Sequence, residues 1–133
     1  MTQLLAQRIR TPDGTILQSY NRHDYKTHLD AVSGETYMVD GGLDYCRQNV
    51  NKVPAEDLCV YVDDDFMHIR AAFSWGTRGK DGRQPLKYVP MKDLDTDHIQ
   101  AILDTQHHIP DYIRLQFVLE LGFRGEYFDM GDE

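Results

Sequence analysis

Through the first third of the chain, short runs of apolar and β-branched residues sit between turn signals, a pattern that predicts antiparallel strands. Residues 4–9 lead into the turn Thr11-Pro-Asp-Gly14, and residues 15–20 alternate partly and are rich in strand formers. Residues 25–29 and 36–39 flank the turn at Ser33, Gly34 and Glu35 and predict a second hairpin, which Asp40-Gly-Gly42 breaks. A further extended segment is expected over 43–48, then a loop over 49–56 that contains Pro54, and a short apolar strand over 58–62. Asp63, Asp64 and Asp65 suit the N-cap and first turn of a helix. Phe66, Ile69 and Phe73 continue at helical spacing, with Gly76 as the expected stop. Residues 86–91 return to an extended state between Pro85 and Pro90.

Two helices close the pattern. Asp95 or Thr96 caps the first, whose apolar positions include Ile99, Ile102 and Leu103. Pro110 fits the first position of the second. This last helix carries two apolar stripes, Tyr112-Leu115-Leu119 and Ile113-Phe117-Leu121, where a surface helix needs one. Two readings are open: the helix is buried within the monomer, or the second stripe packs on another copy. Gly122 and Gly125 weaken the pattern, and residues 129–133 read as a loose tail. The expected fold is α+β, an N-terminal antiparallel sheet with C-terminal helices packed on it, as one homo-oligomeric domain over residues 1–133.

The sequence of 133 residues is acidic, with formal net charge −8. That balance argues against a nucleic-acid duplex as partner, because proteins that neutralise many phosphates carry a broad basic face. No apolar run approaches the roughly 20 residues of a membrane helix, and the N-terminus has no signal-peptide pattern, so a cytoplasmic location is expected. The two cysteines, Cys46 and Cys59, read as reduced, buried thiols.

Against this acidic background one basic island stands out. From Gly76 to Lys87 there are four cations (Arg78, Lys80, Arg83, Lys87), one acid (Asp81) and three glycines, just after the aromatic residues Phe73 and Trp75. Cations and glycine N–H groups suit phosphate, and a flat aromatic suits a purine base. Together they read as a nucleotide-sized anion site; the alternative is a solvated turn. If the loop follows a helix C-terminus, the helix dipole opposes an anion, and the cations and loop N–H groups must do the binding. Arg47 is a further phosphate candidate, against the alternative that it pairs with a nearby acid. His23 can reach a ligand as donor or acceptor.

Other chemistry finds little support. His23-Asp24 resembles a metal-phosphohydrolase pair but has no matching upstream histidine. Cys46, Cys59, His107 and His108 lack zinc-site spacing, and residues 63–65 lack the rest of a calcium loop. No nucleophile elbow or phosphate loop of known type is present. No metal, cofactor or catalytic set is expected.

Several whole segments carry a resemblance: Arg10-Thr-Pro-Asp-Gly-Thr-Ile-Leu-Gln-Ser19, Arg22-His-Asp-Tyr25, Tyr37-Met-Val-Asp-Gly-Gly-Leu-Asp-Tyr45, Trp75-Gly-Thr-Arg-Gly-Lys-Asp-Gly82 and His98-Ile-Gln-Ala-Ile-Leu-Asp-Thr-Gln106. Over roughly residues 9–124 the chain resembles the first-described Thoeris anti-defence family of phage sponges. The resemblance implies a non-enzymatic phage protein that sequesters cyclic ADP-ribose signals made by bacterial TIR-domain enzymes, in some members also cyclic oligonucleotides at separate sites. It implies dimers or larger assemblies with pockets near subunit interfaces. On this reading Phe73 or Trp75 is the aromatic platform and Arg78 and Arg83, with Arg47 nearby, contact phosphate. His23, Thr77 and Gln84 then make polar contacts to ribose or base. Gln48 stands where a second arginine after Arg47 would be expected and departs from that pattern. Two rival readings are a phosphodiesterase that cleaves such a messenger, using His23 and Asp24, and a phage inhibitor of a host protein.

Overall fold

The computed structural model describes residues 3–79 and 81–126. Lys80 and the expected tail at 129–133 therefore lie outside the described residues. The fold is α+β, with antiparallel strands mostly in the N-terminal part and helices mostly in the C-terminal part. The chain expected to be one domain divides into two compact units, Met1–Ala72 and Phe73–Glu133. Among the described residues no helix is long and apolar enough to cross a membrane.

In the N-terminal unit, β1 (Leu4–Arg10) is the central strand of a four-stranded sheet. It pairs on one side with β2 (Ile16–Ser19), through the turn at Thr11–Thr15 that the sequence signals. On the other side it pairs with the short strands β6 (Glu56–Asp57) and β7 (Val60–Tyr61). A second sheet joins β3 (Lys26–Leu29), β4 (Thr36–Asp40) and β5 (Arg47–Gln48). Alternate residues of β1, β2 and β4 supply a core cluster of Ile9, Leu17, Tyr37 and Val39, as the period-2 pattern requires.

A polar seam crosses this unit. The buried Gln7 side chain donates to the carbonyl oxygens of Asp40 and Gly42, at 2.9 and 2.8 Å. Ser19, its cross-strand neighbour, donates to the Asp24 carbonyl and accepts from the Gly42 N–H. Gly41 makes the turn possible: its φ is +93°, and a Cβ there would stand 1.7 Å from the Tyr45 carbonyl oxygen. Of the extended segment expected over 43–48, residues 43 and 44 are turn, 45 and 46 are irregular, and only Arg47–Gln48 pairs as strand.

Helix α1 (Phe66–Ala72) starts where the acidic run expects it. Asp65 accepts the Met67 N–H at 3.2 Å and so caps the helix, while Asp64 bonds back to the Tyr61 N–H. Its end differs from the expectation. The helix stops at Ala72, and Ser74–Thr77 form strand β8, paired antiparallel with β9 (Lys87–Pro90). Phe73 fits helical spacing with Phe66 and Ile69, but Phe73, Trp75 and Thr77 also alternate, and the hairpin is the outcome. Gly76 is a packing position and not a helix stop: a Cβ on it would meet the Tyr88 ring at 3.0 Å.

The rest of the C-terminal unit covers its own hairpin. A 3-10 turn (Met91–Asp93) leads to α2 (Thr96–Thr105) and α3 (Asp111–Phe123). Asp95 occupies the N-cap position of α2 but makes no side-chain capping bond, and Pro110 is the N-cap of α3, one residue earlier than expected. The rings of Phe73 and Trp75 pack on Phe117 of α3, with centroids 5.6 and 5.3 Å away. Of the two stripes on α3, Ile113-Phe117-Leu121 is buried, whereas in the other Leu115 and Leu119 are exposed and Tyr112 is half-buried.

Candidate functional site

A cleft of about 530 Å³ opens in the C-terminal unit. One wall is the backbone and side chains of β8 and the loop start, Trp75 to Gly79. The other is one face of α2, where Asp97, His98, Ala101, Ile102, Thr105 and Gln106 recur at helical spacing. Buried Ile99, Ile102 and Leu103 fix α2 to the core and so hold that face in place. The volume falls in the range of small-ligand sites, about 300–1,000 Å³.

Three sequence-selected residues, Trp75, Thr77 and Arg78, meet at this cleft. The others do not. Phe73 is 2% exposed against Phe117, so its ring is a core element and offers no face for stacking. Arg83 and Gln84 lie in the exposed hairpin loop and do not line the cleft. Arg47 and His23 belong to the other unit. Arg47 takes the alternative role weighed for it: its guanidinium holds Asp40 through bonds of 3.2 and 2.9 Å. His23 is exposed in a turn, with its N–H donated to Asn21 Oδ1. Asp24 is spent on the Tyr20 N–H and on Lys26.

The loop itself corrects a second expectation. Four of its N–H groups are already used within the loop. Gly79 donates to Thr77 Oγ1, Gly82 to the Gly79 carbonyl, Arg83 to Asp81 Oδ1 and Gln84 to the Arg78 carbonyl. Because the loop joins two strands and follows no helix, the opposing helix dipole also drops out.

Sequence reasoning missed the α2 wall as a site, although the segment 98–106 is among those that carry the family resemblance. The available signal was a series of small or polar residues, Asp97, Ala101 and Thr105, at i, i+4 and i+8 beside the apolar stripe.

Two other clusters need an account. Asp13, His28 and Asp30 bring ligand atoms within 4.8 Å of one another. Their oxygens are already engaged: Asp13 accepts from Thr11, from the Thr15 and Ala31 N–H groups and from the His28 ring, and Asp30 accepts from the Asp13, Val32 and Ser33 N–H groups. The Ala31 N–H first, then the His28 ring and the hydrogen bonds from Thr15 and Thr11, hold Asp13 well below the usual carboxylate range. The trio locks two turns together. Cys46 is exposed and Cys59 half-buried, contrary to the buried reading. Gln48 Nε2 donates to both thiols, at 3.7 and 3.9 Å, and the Cys59 thiol donates to the Arg8 carbonyl at 3.7 Å. Burial pushes Cys46 up and Cys59 up to about 12, so both are neutral thiols near pH 7.

Comparison with protein-family models, with curated proteins and with solved structures yields no match for this chain.

Proposed function

We propose that this protein binds and sequesters a cyclic ADP-ribose-type signalling nucleotide without degrading it, the phage anti-defence role that the sequence resemblance implies. The observation that carries the reading is the cleft, in which Trp75, Thr77 and Arg78, picked out from the sequence as base, ribose and phosphate contacts, share one wall. An indole beside a guanidinium suits a purine nucleotide: stacking supplies affinity and the cation supplies charge-assisted bonds to phosphate. A sponge needs tight stoichiometric binding and no turnover, so it requires no nucleophile or base. In the same reading the protein works as a homo-oligomer in the host cytoplasm, and the stripe Tyr112-Leu115-Leu119, with both leucines exposed, is its self-association face.

The test is calorimetry with cyclic ADP-ribose isomers and cyclic oligonucleotides, followed by heat denaturation and analysis of what is released. Tight binding with intact nucleotide recovered supports the sponge. A cleaved product makes the protein a phosphodiesterase, and no binding to any of these overturns the nucleotide reading and favours a protein target.

A further inference from the structure

The cleft carries charges of both signs that the protein does not match with each other. Arg78 lies on the hairpin wall and Asp97 on the α2 wall. Neither makes an ion pair among the described residues. The strand register adds a second cation. Thr77 of β8 lies directly opposite Lys87 of β9. Residues opposite one another in an antiparallel ladder share a face, with Cβ atoms about 4.5–5.5 Å apart. Thr77 lines the cleft; Lys87 is not itself a lining residue but is the cross-strand neighbour of one, with a long flexible stem that can carry its ammonium toward the rim. Lys87 also makes no ion pair among the described residues.

This arrangement selects among anions. A compact anion such as pyrophosphate is attracted by Arg78 and Lys87 but repelled by Asp97. An ionised carboxylate only accepts hydrogen bonds. It therefore favours a ligand whose far end brings donors. Ribose hydroxyls are such donors, and a nucleotide diphosphate carries the anion and the hydroxyls in one molecule.

We propose that Lys87 and Asp97 are the specificity residues of this cleft: Lys87 joins Arg78 on the diphosphate, and Asp97 accepts from ribose hydroxyls. The assignment rests on the nucleotide reading above and deepens it. Asp97 makes the site prefer a nucleotide over the bare anion, and makes it sensitive to which ribose hydroxyl is consumed in a cyclic isomer.

Calorimetry on the full chain with cyclic ADP-ribose, its isomers and inorganic pyrophosphate tests the assignment. Loss of a hydrogen bond to a charged group predicts at least about tenfold weaker cyclic nucleotide binding for Lys87→Gln and for Asp97→Asn. The two variants part on pyrophosphate. Lys87→Gln weakens it, whereas Asp97→Asn strengthens it, because a repulsion has been removed. A merely structural role for Asp97 cannot give that opposite sign. Both side chains are exposed, so thermal melting of the variants should match the parent. Wild-type binding of the nucleotides with both variants unchanged, or Asp97→Asn weakening pyrophosphate as well, overturns this assignment alone. Failure of the wild type to bind any nucleotide overturns the functional reading and this assignment with it.

Discussion

Arg124→Ala is the perturbation that best separates the architecture of the cleft from its chemistry. Arg124 follows α3 and lines no part of the cleft. Its Nε lies 2.7 Å from Oε2 of Glu120, whose side chain is fully buried, and its own side chain is 17% exposed. The same guanidinium donates to Thr96 Oγ1 at 3.0 Å and to the Met91 carbonyl at 3.0 Å. It thereby ties the end of α3 to the start of α2, one residue before Asp97, and to the residue that follows β9. Truncation removes the cation facing a buried carboxylate, a change that costs about 3–5 kcal/mol. Against a total stability of about 5–15 kcal/mol the loss is large. Urea unfolding followed by the fluorescence of Trp75, the chain's one tryptophan, reads this unit directly, because Trp75 packs on Phe117 within it. The double variant Glu120→Gln/Arg124→Ala should recover part of the loss, with a coupling of at least about 1 kcal/mol between the two sites. Nucleotide binding by Arg124→Ala should weaken although no ligand contact is removed. A loss below about 1 kcal/mol, or strictly additive single effects, would refute the argument, since the guanidinium would then not be compensating the buried charge.

Phe117→Ala, at a residue with no exposed surface under two aromatic rings, should cost about 3–5 kcal/mol in the same unfolding assay; a loss under 1 kcal/mol would mean that this aromatic cluster is not the core of its unit. Backbone N–H groups, those of Ala31 for Asp13 and of Val53 for Glu35, depress both carboxylates in the folded state. Their contribution to stability is complete above the unfolded values, roughly 4, and falls away as pH drops below them. Melting temperature should decline on that acid limb, less steeply for Asp13→Asn, and parallel curves would remove Asp13 from the account. The raised thiols predict slow alkylation by iodoacetamide at pH 8, with Cys46 modified before Cys59; mass spectrometry showing Cys59 reacting at the rate of a free cysteine would contradict its placement.

Local signals were read well and tertiary ones poorly. The turn at residues 11–14, the break at Gly41 and Gly42, the acidic cap at Asp65 and both C-terminal helices follow from residues that act on their own backbone. The end of α1 does not, because Phe73 satisfies two periods at once and only its partner strand decides between them. Phe73 fails as a ligand platform for a related reason: an aromatic residue beside a basic loop has the same sequence signature whether its ring faces a cleft or Phe117. Apolar neighbours suggest a buried Cys46, yet the segment around it is an exposed connection, and such segments run over the surface.

The cleft shows where such reading must stop. Its hairpin wall is contiguous in sequence, so composition finds it. The helix wall lies some twenty residues further on, and Asp97 looks there like an ordinary first-turn acid serving the helix dipole. Only the fold sets that acid across from Arg78. Lys87 likewise is one cation among four in the basic island, and only the strand register makes it the cross-strand neighbour of Thr77. Conversely, the glycines that suggested a phosphate cradle serve the hairpin: the Gly79 and Gly82 N–H groups close the loop on itself, and Gly76 makes room for Tyr88. Glycine content was therefore a poor guide to the chemistry of this loop. Charge acts at a distance whatever the backbone does, whereas an N–H group can bind a ligand only if the fold has not already used it.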